Sequence, residues 1–501
     1  MTAPDNLYSI FEACFPADHA RTFIATPGGR VLTYANLGGA AGRLANLFEE
    51  RGLRPGDRVA AQIEKSPEAV FLYLACLKAG LVLVPLNTAY ETAEVAYFAV
   101  DAEPAAFVCS PNAEERIRDI APRCAVFTLD ADGAGTLMAE AARHTHRHET
   151  ARVSTEDLAA IVYTSGTTGR PKGAMLSHGN LASNGRTLKT LWGFGVGDVL
   201  LHALPIYHVH GLFIAINCVL LSGSSMLFLP RFEAGAVIKA LPRATVMMGV
   251  PTFYTRLLGE AGFGAHVCEA MRLFISGSAP LRSATFDAFT ARTGQVILER
   301  YGMSEAGMIT SNPLDGTRVG GTVGFALPGV VVRIADDGGA SVAAGEVGQL
   351  EFRGPNLFKG YWRDAEKTGN AFRDDGFFRS GDLAAMDGDG RVIIAGRSGD
   401  LIISGGLNVY PKEVEREIDA LPGIAESAVV GVPHEDFGEA VAAAVVREAG
   451  SAVSAEFLLS ALDGRLAKFK LPKQVLFVDA LPRNAMGKVQ RNVLRARLEG
   501  T

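Results

Sequence analysis

Cysteine is scarce and scattered. Six residues (Cys14, Cys76, Cys109, Cys124, Cys218, Cys268) occur among 501, and no two form a Cys-x-x-Cys pair. That argues against a disulfide framework or a thiolate zinc site and fits free thiols in a reducing cytoplasm. Surplus positive charge is also missing. Lys and Arg total 48 against 54 Asp and Glu, a net charge of -6, so nothing calls for nucleic acid. The N-terminal stretch MTAPDNLYSIFEACF has no basic region ahead of its apolar residues and carries Asp5, so no secretory signal is expected. One long stretch, Leu201 to Pro230, lacks Asp, Glu, Lys and Arg and is long enough to span a bilayer. Pro205, His208, His210, Asn217 and Ser222 to Ser225 interrupt it, so it reads as buried core and no membrane contact is expected.

The composition is that of a globular protein, 48% hydrophobic and 20% charged. Its length exceeds what one core organises, which implies at least two domains. In the N-terminal part, apolar runs alternate with amphipathic segments. RVAAQI predicts a strand, Ser66-Pro67-Glu68 a capped helix start, Gly80 its stop and LVLVPL a strand covered on both faces. AAFVCS, NAEERIRDI and AVFTLD repeat the scheme, and AAIVYT, TVMMGV, MRLFIS and QVILERY read as further buried strands. Such alternation predicts an α/β fold with parallel sheets between helices. The character changes near Gly396. GRSGD is a polar joint, after which SAVVGV, AVAAAVV, AEFLLSALDGRLA and KQVLFV form an α+β unit of domain size. The expected division is 1–396, a hinge at 397–400, and 401–501. The biased tract Arg143 to His148 (RHTHRH) reads as a solvated loop rather than a metal site, because no acid or cysteine cluster completes one.

The clearest chemical feature is YTSGTTGRPKG, residues 163–173, directly behind the apolar strand AAIVYT. Glycines let a backbone turn and approach a phosphate, while Ser165, Thr167, Thr168 and Lys172 supply hydroxyls and a cation. It is not a Walker A loop, which needs Gly-Lys-Ser/Thr five residues after the first glycine; position 171 is proline.

This segment resembles the signature of the adenylate-forming family, which includes acyl-CoA and aryl-CoA ligases, luciferases and peptide-synthetase adenylation domains. Tyr301-Gly302-Met303-Ser304-Glu305, Ser380-Gly381-Asp382, Gly396-Arg397 and PRNAMGK ending at Lys488 resemble its later motifs in order and spacing. The resemblance implies a large N-terminal domain of parallel and mixed sheets flanked by helices, plus a small β subdomain, and a small mobile α+β C-terminal domain. It implies ATP, Mg2+ and coenzyme A as reaction partners. Thr164, Ser165, Gly166, Thr167, Thr168 and Lys172 would hold phosphates, and Glu305 with Thr168 the metal ion. Gly277, Ser278, Ala279, Pro280, Glu299, Arg300, Tyr301, Gly302, Met303 and Ser304 would surround AMP, with Asp382 and Arg397 on its ribose. Lys488, Glu305 and His208 would act catalytically, Lys488 by bridging the reacting carboxylate and α-phosphate. Gly405, Gly406 and Leu407 would line the coenzyme A channel, and Gly399 and Asp400 the hinge. Relatives commonly carry Lys or Asp at the pivot; Gly399 loses any charge contact there but tolerates the motion.

The acid pocket is expected to contain Arg300, Arg231, His208, Ser276 and Met303. Arg300, just before the adenine-facing tyrosine, is the informative member. A buried guanidinium favours a carboxylate, gripped through two hydrogen bonds. A simple fatty acid would leave it unpaired, at roughly 3–5 kcal/mol. A small dicarboxylic acid is therefore expected, and PLNTAY, HALPIYHVHGLF, GVPTFYTRLL and ERYGMSEAGM resemble the malonyl-CoA synthetases within the family, with methylmalonate as a slower substrate. Three alternatives stand beside this: a ligase for another short or aromatic acid, a carrier-protein ligase, and an inactive nucleotide-binding protein. For Arg300 itself the alternative is an internal salt bridge with Glu299 or Glu305. Lys488 also resembles a site of lysine acetylation in related synthetases, so an acetyltransferase and deacetylase are expected partners.

Overall fold

The computed structural model describes residues 5–164, 171–404, 407–434, 438–463, 465–466, 468–484 and 487–499. Among them, strands form four sheets. The first has six strands. Ala125–Thr128, Ala106–Cys109, Arg58–Gln62, Val82–Pro85 and Leu158–Thr164 run parallel in that order. Their apolar runs follow from having both faces covered. The helix Pro67–Lys78 forms as its sequence predicts. Ser66 Oγ accepts the Ala69 amide at 3.3 Å, Pro67 and Glu68 occupy the first turn, and Gly80 follows at φ +70. The alternation breaks after Leu158–Thr164, where the chain returns as the antiparallel strand Lys172–Ser177. Ser177 then caps the helix His178–Leu191 with Asn180 in a capping box.

The second sheet has nine strands. Leu298–Met303, Leu273–Ser276, Val246–Gly249, Val199–His202, Ser225–Phe228 and Thr22–Ala25 are parallel neighbours. Gly307–Ser311 and Phe325–Ala326 extend one edge in antiparallel fashion, and Val31–Thr33 the other. Several expected site residues lie at or beyond the C-terminal ends of the parallel strands, where open α/β sheets leave a crevice. One apolar core runs beneath both sheets. The third sheet, Val331–Ala335, Gly348–Arg353, Phe378–Met386 and Val392–Arg397, is a four-stranded antiparallel meander, the small β subdomain.

The fourth sheet lies wholly after residue 401. Ile424–His434 and Gly438–Arg447 form its central hairpin, Gln474–Phe477 joins in parallel, and Ile402–Ser404 and Leu407–Val409 complete it. Alternate residues of the hairpin face opposite ways. Val429, Val441 and Ala443 pack with Val414 and Ile418 of the helix Pro411–Asp419. Val430, Ala440 and Ala442 pack with Leu494 and Leu498 of Arg491–Glu499. This unit meets the larger body through Arg282 Nε and Asp419 Oδ2 at 3.3 Å.

The histidine tract is pinned rather than free. Arg43 donates to His144 O at 2.8 Å, and Asn46 to Thr145 O and Arg147 O at 2.8 and 2.9 Å. Among the described residues no group of three or more His, Cys, Asp or Glu forms a metal site, and no helix is long and apolar enough to cross a membrane. All six cysteines are free.

Candidate active site

Strand register builds the phosphate end. The antiparallel pair places Thr164, just before the glycine-rich segment, directly opposite Lys172. Ser165, Gly166, Thr167 and Thr168 lie outside the described residues. Lys172 Nζ stands 4.9 Å from the centroid of the Tyr361 ring, and the Tyr361 hydroxyl donates to Glu305 Oε1 at 3.0 Å. The loop's lysine and the expected metal ligand are thus joined through one tyrosine. Glu305 is 5% exposed, and burial raises its pKa, opposed by its own backbone amide, Tyr361, Arg397 and Lys488.

The nucleoside end is set by two hairpins. Leu298–Met303 turns back as Gly307–Ser311, with Met303 opposite Gly307, leaving Tyr301, Gly302, Met303 and Ser304 partly exposed. In the β subdomain, Asp382 and Arg397 are register partners, and Asp382 Oδ1 lies 2.7 Å from Arg397 Nε. The Tyr301 hydroxyl donates to the other Asp382 oxygen. Ser380 Oγ accepts the Asp382 amide at 3.0 Å. Burial raises the Asp382 pKa against the pull of Arg397, Tyr301 and Lys488.

At the opposite end, Arg300 is 3% exposed. Its Nε and Nη2 are buried without a hydrogen-bond partner. The alternative, an internal salt bridge, is not there: among the described residues no carboxylate pairs with Arg300. The Glu299 carboxylate instead accepts the Gly321 amide at 3.0 Å, and burial pushes its pKa to about 8. Burial lowers the Arg300 pKa to about 9, against a raising effect of Tyr254, so it stays charged at neutral pH. Its guanidinium lies flat on Gly277. A Cβ there would come within 2.4 Å of Nη1 and 2.5 Å of Cζ, so a larger residue would push the guanidinium from this position. Ser278 takes a left-handed φ of 70, and its hydroxyl is 3.2 Å from His210 Nδ1. Ala279 is partly exposed and Pro280 exposed. Ser276 is buried with an unpartnered hydroxyl. His208 titrates near 3, lowered first by burial, then by Lys488 and Arg300. His210 is lowered by burial, then Arg300, His208 and His202.

Lys488 completes the group. Its side chain keeps solvent access, yet it stands close enough to Arg397, Asp382 and Glu305 to feel their charges. Its pKa is lowered by loss of surrounding water and by Arg397, while Asp382 and Glu305 oppose. Gly487 beside it rests against Thr252 of the larger body, a Cβ there meeting Oγ1 at 3.1 Å. Gly399 lies in the short helix Ser398–Asp400 with open space around it. Its neighbour Asp400 carries an ion pair, with Oδ2 3.2 Å from Arg491 Nε.

The structure thus brings Lys172, Glu305, Tyr301, Asp382, Arg397, Lys488, His208 and Arg300 into one continuous set. Arg231, also expected at the acid pocket, has its ion pair outside this set. The Arg231 side chain is 80% exposed and pairs with Glu233 at 3.1 Å, because the chain past Pro230 has already left the sheet. Leu407 is 49% exposed; Gly405 and Gly406 lie outside the described residues. Two members went unforeseen. His210 had a signal, standing two residues from His208, whereas Tyr361 had none, being 56 positions from the Glu305 it holds.

Residues 12–362 match the family described as AMP-binding enzyme, and residues 413–488 the AMP-binding enzyme C-terminal domain. The chain is similar to ATP-bound MatB from Rhodopseudomonas palustris, 54% identical, covering 99% of each chain with a TM-score of 0.97. Against apo MatB the TM-score is 0.87. It is 36% identical to the mitochondrial malonate–CoA ligase of Mus musculus, covering 89% of this chain and 83% of that one. It is also 36% identical to a feruloyl-CoA synthase of Amycolatopsis, covering 94% of each.

Proposed function

We propose that this chain, which belongs to the AMP-binding enzyme family and is an AMP-forming acid–CoA ligase, activates malonate. The reaction is malonate + ATP + CoA giving malonyl-CoA + AMP + pyrophosphate, with methylmalonate a slower substrate. ATP and coenzyme A are its substrates. The observation that carries the choice of acid is the Arg300 guanidinium, buried and charged with two nitrogens unpartnered. A buried charge without a counter-charge is costly. A dicarboxylic acid resolves this, one carboxylate resting on Arg300 while the other is activated. The likeness to a malonate–CoA ligase supports the same acid. The equally similar feruloyl-CoA synthase supports a second reading, a ligase for another short or aromatic acid.

In the first half-reaction an oxygen of the free carboxylate attacks the α-phosphorus, and the α–β bridging bond breaks to release pyrophosphate. Both reactants are anions, so the site's task is orientation and positive charge. Lys172 and the turn above Thr164 hold the β- and γ-phosphates. Tyr301 lies on adenine, Asp382 and Arg397 take the ribose, and Lys488 joins the carboxylate and α-phosphate oxygens. A Mg2+ ion suits Glu305, whose carboxylate is a hard oxygen donor held by Tyr361; magnesium carried on substrate phosphates needs only one or two such groups. When bound it supplies charge neutralisation on the phosphates. In the second half-reaction the thiol sulfur bonds to the acyl carbon and AMP leaves. The unit after the 397–400 hinge swings Lys488 away, and residues 405–407 approach the thiol's arm. Lys488, open to solvent, is the proposed target of an acetyltransferase, and the cytoplasm, where free cysteines persist, the proposed location.

Pyrophosphate release with malonate, methylmalonate, succinate, acetate, benzoate and ferulate tests the acid. Highest kcat/KM with malonate is expected. Turnover of ferulate or acetate without malonate would transfer the chain to the second reading.

A further inference from the structure

Behind the acid pocket lies a second buried cation that the reaction does not use. Lys65 follows the strand Arg58–Gln62 of the six-stranded sheet and is 9% exposed. Its Nζ lies 2.8 Å from His202 Nδ1 and 2.9 Å from His202 O, and 4.3 Å from the centroid of the Phe228 ring. No carboxylate pairs with it among the described residues, and burial alone lowers its pKa well below the lysine range. His202 ends the strand Val199–His202 in the other large sheet, so the contact ties the two sheets together.

The bonding fixes the tautomer of His202. Its Nε2 is 2.9 Å from Gly211 O. A carbonyl only accepts, so Nε2 carries the proton and Nδ1 must accept from Lys65. Gly211 in turn closes a loop: a Cβ there would sit 2.0 Å from Pro205 O. The loop Pro205 to Gly211 carries His208 and His210, whose rings both feel Arg300. His210 also meets Ser278, the residue next to Gly277 on which the guanidinium rests.

We propose that Lys65 is a positioning residue for the acid substrate: through His202 and the Gly211 carbonyl it holds the loop that presents His208 and His210 to the pocket of Arg300. This rests on the reading that the acid lies against Arg300. Lys65 contacts His202 and the Phe228 ring, and reaches the loop of His208 and His210 through His202, so its effect should be read in acid binding. Lys65→Met keeps the length of the side chain and removes the donor. His202→Phe keeps a ring at this place and removes both the side-chain acceptor of Lys65 and the donor to Gly211 O.

The experiment measures KM for the acid and for ATP, together with kcat and melting temperature, in both single variants and the double variant. The acid is whichever one the wild-type enzyme turns over best, so the test runs even if malonate is not that acid. Each single variant should raise the acid KM about tenfold, the scale of one lost buried hydrogen bond, with the ATP KM within twofold. The double variant should be little worse than either single one, because both break the same connection. An unchanged acid KM, an equal rise in both KM values, or additive losses would overturn the proposal. Failure of both single variants to fold would overturn it too, by showing that the contact holds the two sheets rather than the pocket. A malonate defect in Arg300→Met with none in Lys65→Met would refute this inference and leave the assignment of the acid intact.

Discussion

Replacing Arg300 by methionine should make the ligand-free protein no less stable while removing its acid. The guanidinium has no carboxylate partner and two unpartnered nitrogens. Burial pulls its pKa down from the usual guanidinium range to about 9, a drop that at about 1.36 kcal/mol per unit is a penalty on the order of 5 kcal/mol for holding the charge. Replacing buried ions by apolar residues of similar volume is commonly neutral or stabilising by about 1–4 kcal/mol, which agrees in sign and scale. In the bound complex the balance reverses. A malonate carboxylate facing methionine instead of a fork of donors would lose roughly 3–5 kcal/mol, or about 10²- to 10³-fold or more in kcat/KM. A thermal scan without ligands and pyrophosphate-release kinetics with malonate, acetate and ATP varied in turn measure both sides. The melting temperature should hold or rise, malonate should fail, and acetate and ATP should change far less. A large drop in melting temperature, or equal losses for malonate and ATP, would refute the claim that this charge is kept for a ligand.

Asp382→Asn should raise the ATP KM at least tenfold, about 1.4 kcal/mol or more, with the malonate KM within twofold, because Arg397 and Tyr301 lose their shared carboxylate. Lys488 must be charged to bridge two anions, and its pKa is lowered. Adenylation should therefore fail on the alkaline side earlier than an ordinary lysine would dictate, and Lys488→Arg should move that limb upward in a pH–rate profile. Lys488→Ala should block adenylation yet leave thioester formation from supplied acyl-adenylate, which rapid-quench product analysis distinguishes. Glu299 titrates near 8 when folded against about 4.5 unfolded, so the folded state holds the extra proton. Stability must then fall as pH rises between those values. Glu299→Gln should flatten that slope in urea unfolding followed from pH 5 to 9, and an unchanged slope would remove Glu299 as its source.

Local rules carried much of the fold. Ser66-Pro67-Glu68 capped its helix, since these signals act within one turn. The apolar runs became strands, but their direction was not written in them. AAIVYT reads like its parallel neighbours, and only pairing reveals that the strand after it runs back antiparallel. The helix expected from AEFLLSALDGRLA ends at Leu462, ahead of Asp463 and Arg465. In the site, motif order identified Asp382, Arg397, Glu305 and Lys488 because each sits in a short segment of fixed spacing. The charge of Arg231 was legible, while its exposure and its pairing with Glu233 were not. Tyr361, Lys65 and His202 act through contacts 56 to 137 positions away, for which a chain read in order carries no mark.

The bare Cα of Gly277 beneath the guanidinium bears on how such an enzyme changes diet. Shortening Arg300 opens a hollow floored by a residue with no side chain. The step from a compact, doubly charged acid to a bulkier neutral one is then a single codon deep. The return asks for more: with a larger residue at 277, a guanidinium restored at 300 would have to lie elsewhere than it does now.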